Sequence, residues 1–257
     1  SRNKRPPQRP LWFDYEKCFG NLLATINFDL CDLTVIFEKA EDYYSNYFLQ
    51  NYETAKPFKV RYIDTNREKL LNKTKEDIGW SRGIAAASQV IKNENLSENE
   101  LCYMVDDDFL HMPFWAEKCL DYINNFLKYD NFAICPCDYG DKYYFNDDNH
   151  AIDQFGTDQG MYADLQSRIR IGNYCYWRQV PNCLLFSSIM PVSIFNRDYE
   201  EYWSKGWSDC TLCNELNNRY NMQFWSPLPS LSCHTIDPFL PPFINWPEIQ
   251  ENIRIKL

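Results

Sequence analysis

Residues 101–111 constrain this chain more than any other stretch. Leu101-Cys102-Tyr103-Met104-Val105 is an apolar run, and Asp106-Asp107-Asp108 ends it abruptly. The run reads as a buried strand. A few loop residues follow, Phe109-Leu110-His111 among them. A helix pattern then opens at Pro113 and continues through Phe114, Trp115, Cys119, Leu120, Ile123 and Phe126, the spacing of one helical face. In an open α/β sheet, ligands sit beyond the carboxyl ends of the strands. Three carboxylates placed there repel one another, and a hard divalent cation with oxygen ligands relieves the repulsion. The acids are therefore expected to hold a metal, and the metal a diphosphate. The plain alternative is a solvated acidic loop at a helix N-terminus, where the helix dipole favours negative charge.

A chain of 257 residues suits one large α/β domain or two small ones. Hydrophobic residues make up 45% and aromatics 17%, enough for a sizeable core. The net charge of -10 argues against a nucleic-acid binder, which carries a basic face. It does not exclude an anionic substrate, because a bound cation reverses the local field.

The 11 cysteines are odd in number and spread through apolar segments, unlike a secreted disulfide framework. A reducing cytoplasm is the simpler expectation. Two tight pairs, Cys135-Pro-Cys137 and Cys210-Thr-Leu-Cys213, leave a zinc site as an alternative. Two sequons, at Asn72 and Asn95, would suit a secretory lumen, the alternative compartment, but an Asn-rich chain also produces such triplets by chance. No apolar run is long enough for a transmembrane helix and no signal peptide is visible.

Along the chain, residues 1–10 are basic and Pro-rich and read as extended. Helical spacing runs from Asp14 through Tyr15, Cys18, Phe19, Leu22, Leu23 and Ile26. Leu33 to Phe37 reads as a strand ending at Glu38. A helix is expected over Tyr43 to Leu49, and a strand over Phe58 to Ile63. A polar loop with Arg67, Lys69, Lys73 and Lys75 leads to Gly79-Trp80-Ser81-Arg82-Gly83 and a helix through Ile91. This alternation predicts a Rossmann-type, mainly parallel central sheet with helices on both faces. In the second half, Ala133 to Cys137 reads as a strand and residues 138–143 as a turn. Residues 146–172 read as a long polar loop. Tyr174 to Trp177 and Cys183 to Ile189 read as a hairpin, and Asp209 opens a helix with Leu212, Leu216 and Tyr220.

A strand ending in Asp-x-Asp, about a hundred residues into such a chain, resembles the metal-binding motif of GT-A glycosyltransferases. The resemblance covers most of the chain in scattered blocks. They are Arg9-Pro10-Leu11-Trp12-Phe13 with Cys18 and Asn21; Asp107-Asp108-Phe109-Leu110-His111; Asp141-Lys142-Tyr143; and Ser226-Pro227-Leu228-Pro229 with Cys233-His234. These blocks are similar to small GT-A-like proteins of bacteria and large viruses.

The resemblance implies one GT-A-like domain over residues 1–257. Its nucleotide-sugar-binding half covers about 1–112 and its acceptor-binding half about 113–257. It implies Mn²⁺ or Mg²⁺ held by Asp108 and His234, with Asp106 on the metal or ribose and Asp107 beside the nucleotide. Arg9 and Glu38 are expected at the nucleotide, and Arg82 or Lys142 at the diphosphate. A carboxylate at the start of a late helix takes the acceptor proton in inverting members, and Asp209 in Gly206-Trp207-Ser208-Asp209-Cys210 matches it. Ser208 stands where a second acid is usual, and an ordinary helix cap explains Asp209 equally well. The family's first strand is not visible in residues 1–10. Either it lies upstream of Ser1 or the chain departs from the pattern.

The expected reaction is sugar transfer from a nucleotide-sugar to a glycan or other hydroxyl acceptor, in a cytoplasm (the host's, if the source is viral), with no nucleic-acid partner. The rivals are a retaining transferase of the same fold, a metal-dependent phosphohydrolase or nuclease using the acids, and a silent nucleotide-sugar-binding module.

Overall fold

Asp14 begins the first helix. Its backbone is extended, and its carboxylate accepts the N–H groups of Glu16 and Lys17 at 2.8 and 3.2 Å, capping α1 (Tyr15–Thr25). Such a cap contributes about 1 kcal/mol. The computed structural model describes residues 8–38, 58–63, 80–127, 131–140, 150–152, 158–161, 169–180, 187–205, 209–237 and 240–252. The helix expected at 43–49, the basic loop 64–79, Lys142 and the Gly206-Trp207-Ser208 segment lie outside them.

After α1 come β1 (Leu33–Glu38), β2 (Phe58–Ile63), α2 (Trp80–Asn93), β3 (Leu101–Tyr103), β4 (Phe109–His111) and α3 (Trp115–Phe126). Then follow β5 (Phe132–Ile134), β6 (His150–Ile152), β7 (Asp158–Met161), β8 (Ile169–Ile171), β9 (Tyr176–Val180) and β10 (Ile189–Pro191). The last elements are α4 (Val192–Asp198), α5 (Asp209–Tyr220), β11 (Gln223–Leu228), β12 (Ser232–His234) and α6 (Trp246–Glu251). No helix among the described residues is long and apolar enough to cross a membrane.

Among the described residues, six strands form the central sheet in the order β3-β10-β5-β11-β9-β8. Only β5 and β11 pair parallel in it; the other four pairings are antiparallel. The chain is α/β, but this sheet is not the mainly parallel one predicted from helix–strand alternation. Two features account for the difference. β10 runs between β3 and β5 against both, and the β8–β9 hairpin adds antiparallel pairings at one edge, where a tight turn replaces a crossover helix. β1 and β2 do pair parallel, as a two-stranded sheet of their own.

Other boundaries differ too. Most of the second strand of the predicted hairpin, residues 183–186, lies outside the described residues, and the described parts of the two predicted strands do not pair with each other. β9 pairs with β8 and β11, whereas β10 pairs with β3 and β5. The predicted loop 146–172 contains β6, β7 and β8, each of only three or four residues. Between the acids and α3, where a loop is predicted, β4 pairs with β12.

Strand periodicity divides the core into two layers. Ala133, Met190 and Phe224 point to one face, where Ile84 of α2, Ile194 of α4 and Leu212 and Leu216 of α5 cover them. Their chain neighbours Ile134, Ile189 and Trp225 point to the other face, under Trp115, Cys119, Tyr122 and Ile123 of α3. Helices therefore cover both faces of the sheet, as the sequence pattern predicts. On the α3 side the Tyr122 ring stacks on Trp177, centroids 4.2 Å apart.

Candidate metal and diphosphate site

The β4–β12 pair builds the site. Phe109 lies opposite His234, Leu110 opposite Cys233 and His111 opposite Ser232. This register puts Asp108, the residue before β4, beside the end of β12. Thr235 fixes it there, donating its backbone N–H at 3.1 Å and its hydroxyl at 2.6 Å to the Asp108 carbonyl. The other end of β4 is held by α1. The Asn21 side-chain amide donates to the His111 carbonyl at 3.0 Å, and its oxygen accepts the His111 N–H at 2.5 Å. Cys18 packs with Leu110, Cys233 and Trp246 just below.

The three acids part company. Asp106 and Asp107 are exposed, while Asp108 is only 5% exposed. Its Oδ2 pairs with the Arg9 guanidinium and faces His234 Nε2 at 3.5 Å. Its Oδ1 is buried and accepts no hydrogen bond among the described residues. Burial alone would raise the Asp108 pKa. His234 and Arg9 outweigh it and hold the carboxyl below its ordinary range, so the group is ionised at neutral pH. The His234 ring is sandwiched in place, stacked on Phe109 and edge-on to Tyr139.

His111 stands apart from this pair. It is fully buried, with Nε2 2.9 Å from the Tyr103 hydroxyl and its ring against Trp115. Burial drives its pKa down to about 3. A neutral imidazole in that position braces the acidic loop from behind.

Among the described residues, no group of three or more His, Cys, Asp or Glu side chains is placed to hold a metal ion. Cys135, Cys137 and Cys213, which entered the alternative zinc site, are buried in the core layer beneath α2 and α5. The donors that do meet number two, Asp108 and His234. Donors about 2.1 Å from a shared ion stand roughly 3.0 Å apart at right angles and 3.4 Å apart in a tetrahedron. The observed 3.5 Å is close to the second figure. Two protein donors suit an ion that keeps its other positions for phosphate oxygens and water, as Mg²⁺ commonly does.

The structure thus brings together Arg9, Asp108 and His234, with Asp106 and Asp107 at the rim. Glu38 is the last residue of β1, Arg82 lies in the first turn of α2, and Asp209 is the first residue of α5. The side chains of these three, like all of Lys142, are outside what is described.

A second polar cluster escapes the sequence reading. Asp138, just past β5, and Arg178 of β9 form an ion pair with side chains only 2% and 9% exposed. The Asp138 N–H donates to Ser230 Oγ at 2.7 Å, and that hydroxyl donates to the Ser232 carbonyl on β12, also at 2.7 Å. The Tyr139 hydroxyl meets Ser187 Oγ at 2.9 Å. The cluster therefore braces the strand that carries His234. Its signals in the sequence were an acid directly after an apolar run and an arginine beside Trp177.

No protein-family model matches the chain, and no curated protein matches it in sequence.

Proposed function

We propose that this chain is a metal-dependent glycosyltransferase of the GT-A kind, which moves a sugar from a nucleotide-sugar to an acceptor hydroxyl with inversion. The observation that carries the reading is the meeting of Asp108 and His234. They come from distant parts of the chain, yet Oδ2 and Nε2 stand 3.5 Å apart in a largely dry setting. The helix-covered α/β sheet is a scaffold compatible with it, although a scaffold alone does not specify a reaction.

Asp108 and His234 would hold Mn²⁺ or Mg²⁺. Bound there, the ion supplies Lewis acidity to the diphosphate oxygens, which gain charge as the bond to the sugar breaks. Arg9 adds a fixed positive charge beside the same group. In this reading Asp106 serves the ribose or a metal-bound water, Asp107 and Glu38 are assigned to the nucleotide, and Arg82 and Lys142 to the diphosphate. Asp209, at the head of α5, takes the proton from the acceptor hydroxyl, for which it must come within hydrogen-bond reach.

A thermal-shift panel of nucleotide-sugars, with and without Mn²⁺, tests this. A ligand that binds only the folded chain raises Tm. One donor is expected to raise it, and only with the metal present. A panel in which no nucleotide-sugar shifts Tm contradicts the proposal. Asp209→Asn is expected to bind donor normally and lose transfer; full transfer removes Asp209 from the role. NMR of the product's anomeric configuration separates inversion from retention.

A further inference from the structure

Asp108 already has a cation of the chain's own. The Arg9 guanidinium lies against Oδ2, the oxygen that faces His234. Arg9 is not a loose surface charge. Its side chain is 11% exposed, and its other terminal nitrogen donates to the Thr235 carbonyl at 3.1 Å. The guanidinium carbon sits 5.1 Å from the centre of the Phe13 ring. The backbone beside it is tied down, since the Asp237 N–H donates to the Gln8 carbonyl at 3.0 Å. The N-terminal segment thus delivers a positive charge to the oxygen that a divalent ion would use. Like charges in so dry a place repel strongly, so the two cations compete.

We propose that Arg9 is an internal counter-cation, which occupies Asp108 while no divalent ion is bound and passes to the diphosphate when metal and donor arrive. This rests on the reading of Asp108 and His234 as cation donors. It has a thermodynamic consequence. A metal arriving alone must displace Arg9 from Asp108 and draw a poorly solvated guanidinium away from that carboxylate, which is unfavourable. A metal arriving with a diphosphate offers Arg9 a replacement anion. Metal and diphosphate therefore bind cooperatively, each raising the other's affinity by the same factor. Part of that factor belongs to Arg9 rather than to direct metal–phosphate bonding.

The test is Mn²⁺ binding to the full chain, followed by the EPR signal of free Mn²⁺, alone and with ADP, GDP, UDP or CDP. Arg9→Gln is expected to bind Mn²⁺ alone at least tenfold more tightly than the wild type. It should also show at least tenfold less coupling to the nucleotide that binds. Arg9→Lys, which keeps the charge, is expected to stay within about threefold of the wild type. If Arg9→Gln binds Mn²⁺ no more tightly, or Arg9→Lys behaves like it, the counter-cation role is overturned while the metal site stands. If neither wild type nor variant binds Mn²⁺, the metal reading itself fails and this inference with it. A second measurement needs no charge-removing variant. The Arg9 Nε–H resonance of the wild type, assigned by its loss in Arg9→Lys, is expected to shift when Mg²⁺ and the nucleotide are added. An unmoved resonance under saturation overturns the proposal.

Discussion

The rings of Phe109 and His234 stack face to face across the β4–β12 pair, with centroids 4.7 Å apart and planes 5° from parallel. The pairing of the two strands dictates this contact, since the residues are direct cross-strand partners. Because the imidazole lies flat on its neighbour, its Nε2 edge is held toward Asp108. Residues that orient a ligand typically change metal affinity by 10–100-fold when altered. Phe109→Leu keeps the buried position apolar but removes the flat support. It should weaken Mn²⁺ binding by about tenfold, measured by calorimetry. Unchanged affinity would mean that the imidazole is oriented by other contacts.

The Asp138–Arg178 pair makes a prediction about stability. Removing one partner of a buried ion pair strands the other charge, at a cost of about 3–5 kcal/mol. Replacing both with apolar groups of similar volume leaves no stranded charge. Urea unfolding should therefore show Asp138→Leu and Arg178→Met each strongly destabilising, and the double variant more stable than either single one. Additive losses would contradict the account.

Asn21 offers a sharper case. Its amide serves both backbone groups of His111, and a buried backbone group left unpaired costs about 1–3 kcal/mol. Asn21→Ala is expected to lower the unfolding free energy by roughly 3 kcal/mol. Asn21→Asp keeps the acceptor for the N–H and loses the donor to the carbonyl, so it should fall between. A loss below 1 kcal/mol for Asn21→Ala would show that β4 does not depend on this clamp.

His111 sets part of the pH dependence. Its folded pKa is lowered to about 3 by burial, whereas an unfolded histidine titrates near 6.5. Between those values the unfolded chain binds the extra proton, so acid favours unfolding. The stability contributed by keeping His111 neutral is complete above about pH 6.5 and falls progressively as pH drops toward 3. At pH 5 the loss is about 2 kcal/mol. Melting curves should fall less steeply from pH 7 to 5 for His111→Gln than for the wild type. Parallel curves would mean that His111 is protonated in the folded state.

Much of the local structure was legible in the sequence. α1, β1, β2, α2, α3 and α5 follow from apolar spacing over six to fourteen residues, long enough for a period to show. β4 and β12, of three residues each, are too short to carry one. Their pairing depends on contacts far apart in the chain. Strand direction was not legible either, because the order in which β10 enters the sheet leaves no mark on its three residues. The Asp-x-Asp pattern pointed to the acidic loop, but only the structure separates buried Asp108 from exposed Asp106 and Asp107. Arg9 could be flagged as a cation; that its partner is Asp108 required the β12 end and the N-terminal segment to be seen side by side.

The most direct check is electron spin-echo spectroscopy of Mn²⁺ bound to the full chain in the presence of a nucleoside diphosphate. If Asp108 and His234 grip one ion, nitrogen modulation from a coordinated imidazole appears in the wild type and vanishes in His234→Gln, while Asp108→Asn loses bound Mn²⁺ altogether. Bound Mn²⁺ without nitrogen modulation, or with modulation that survives His234→Gln, would contradict the account.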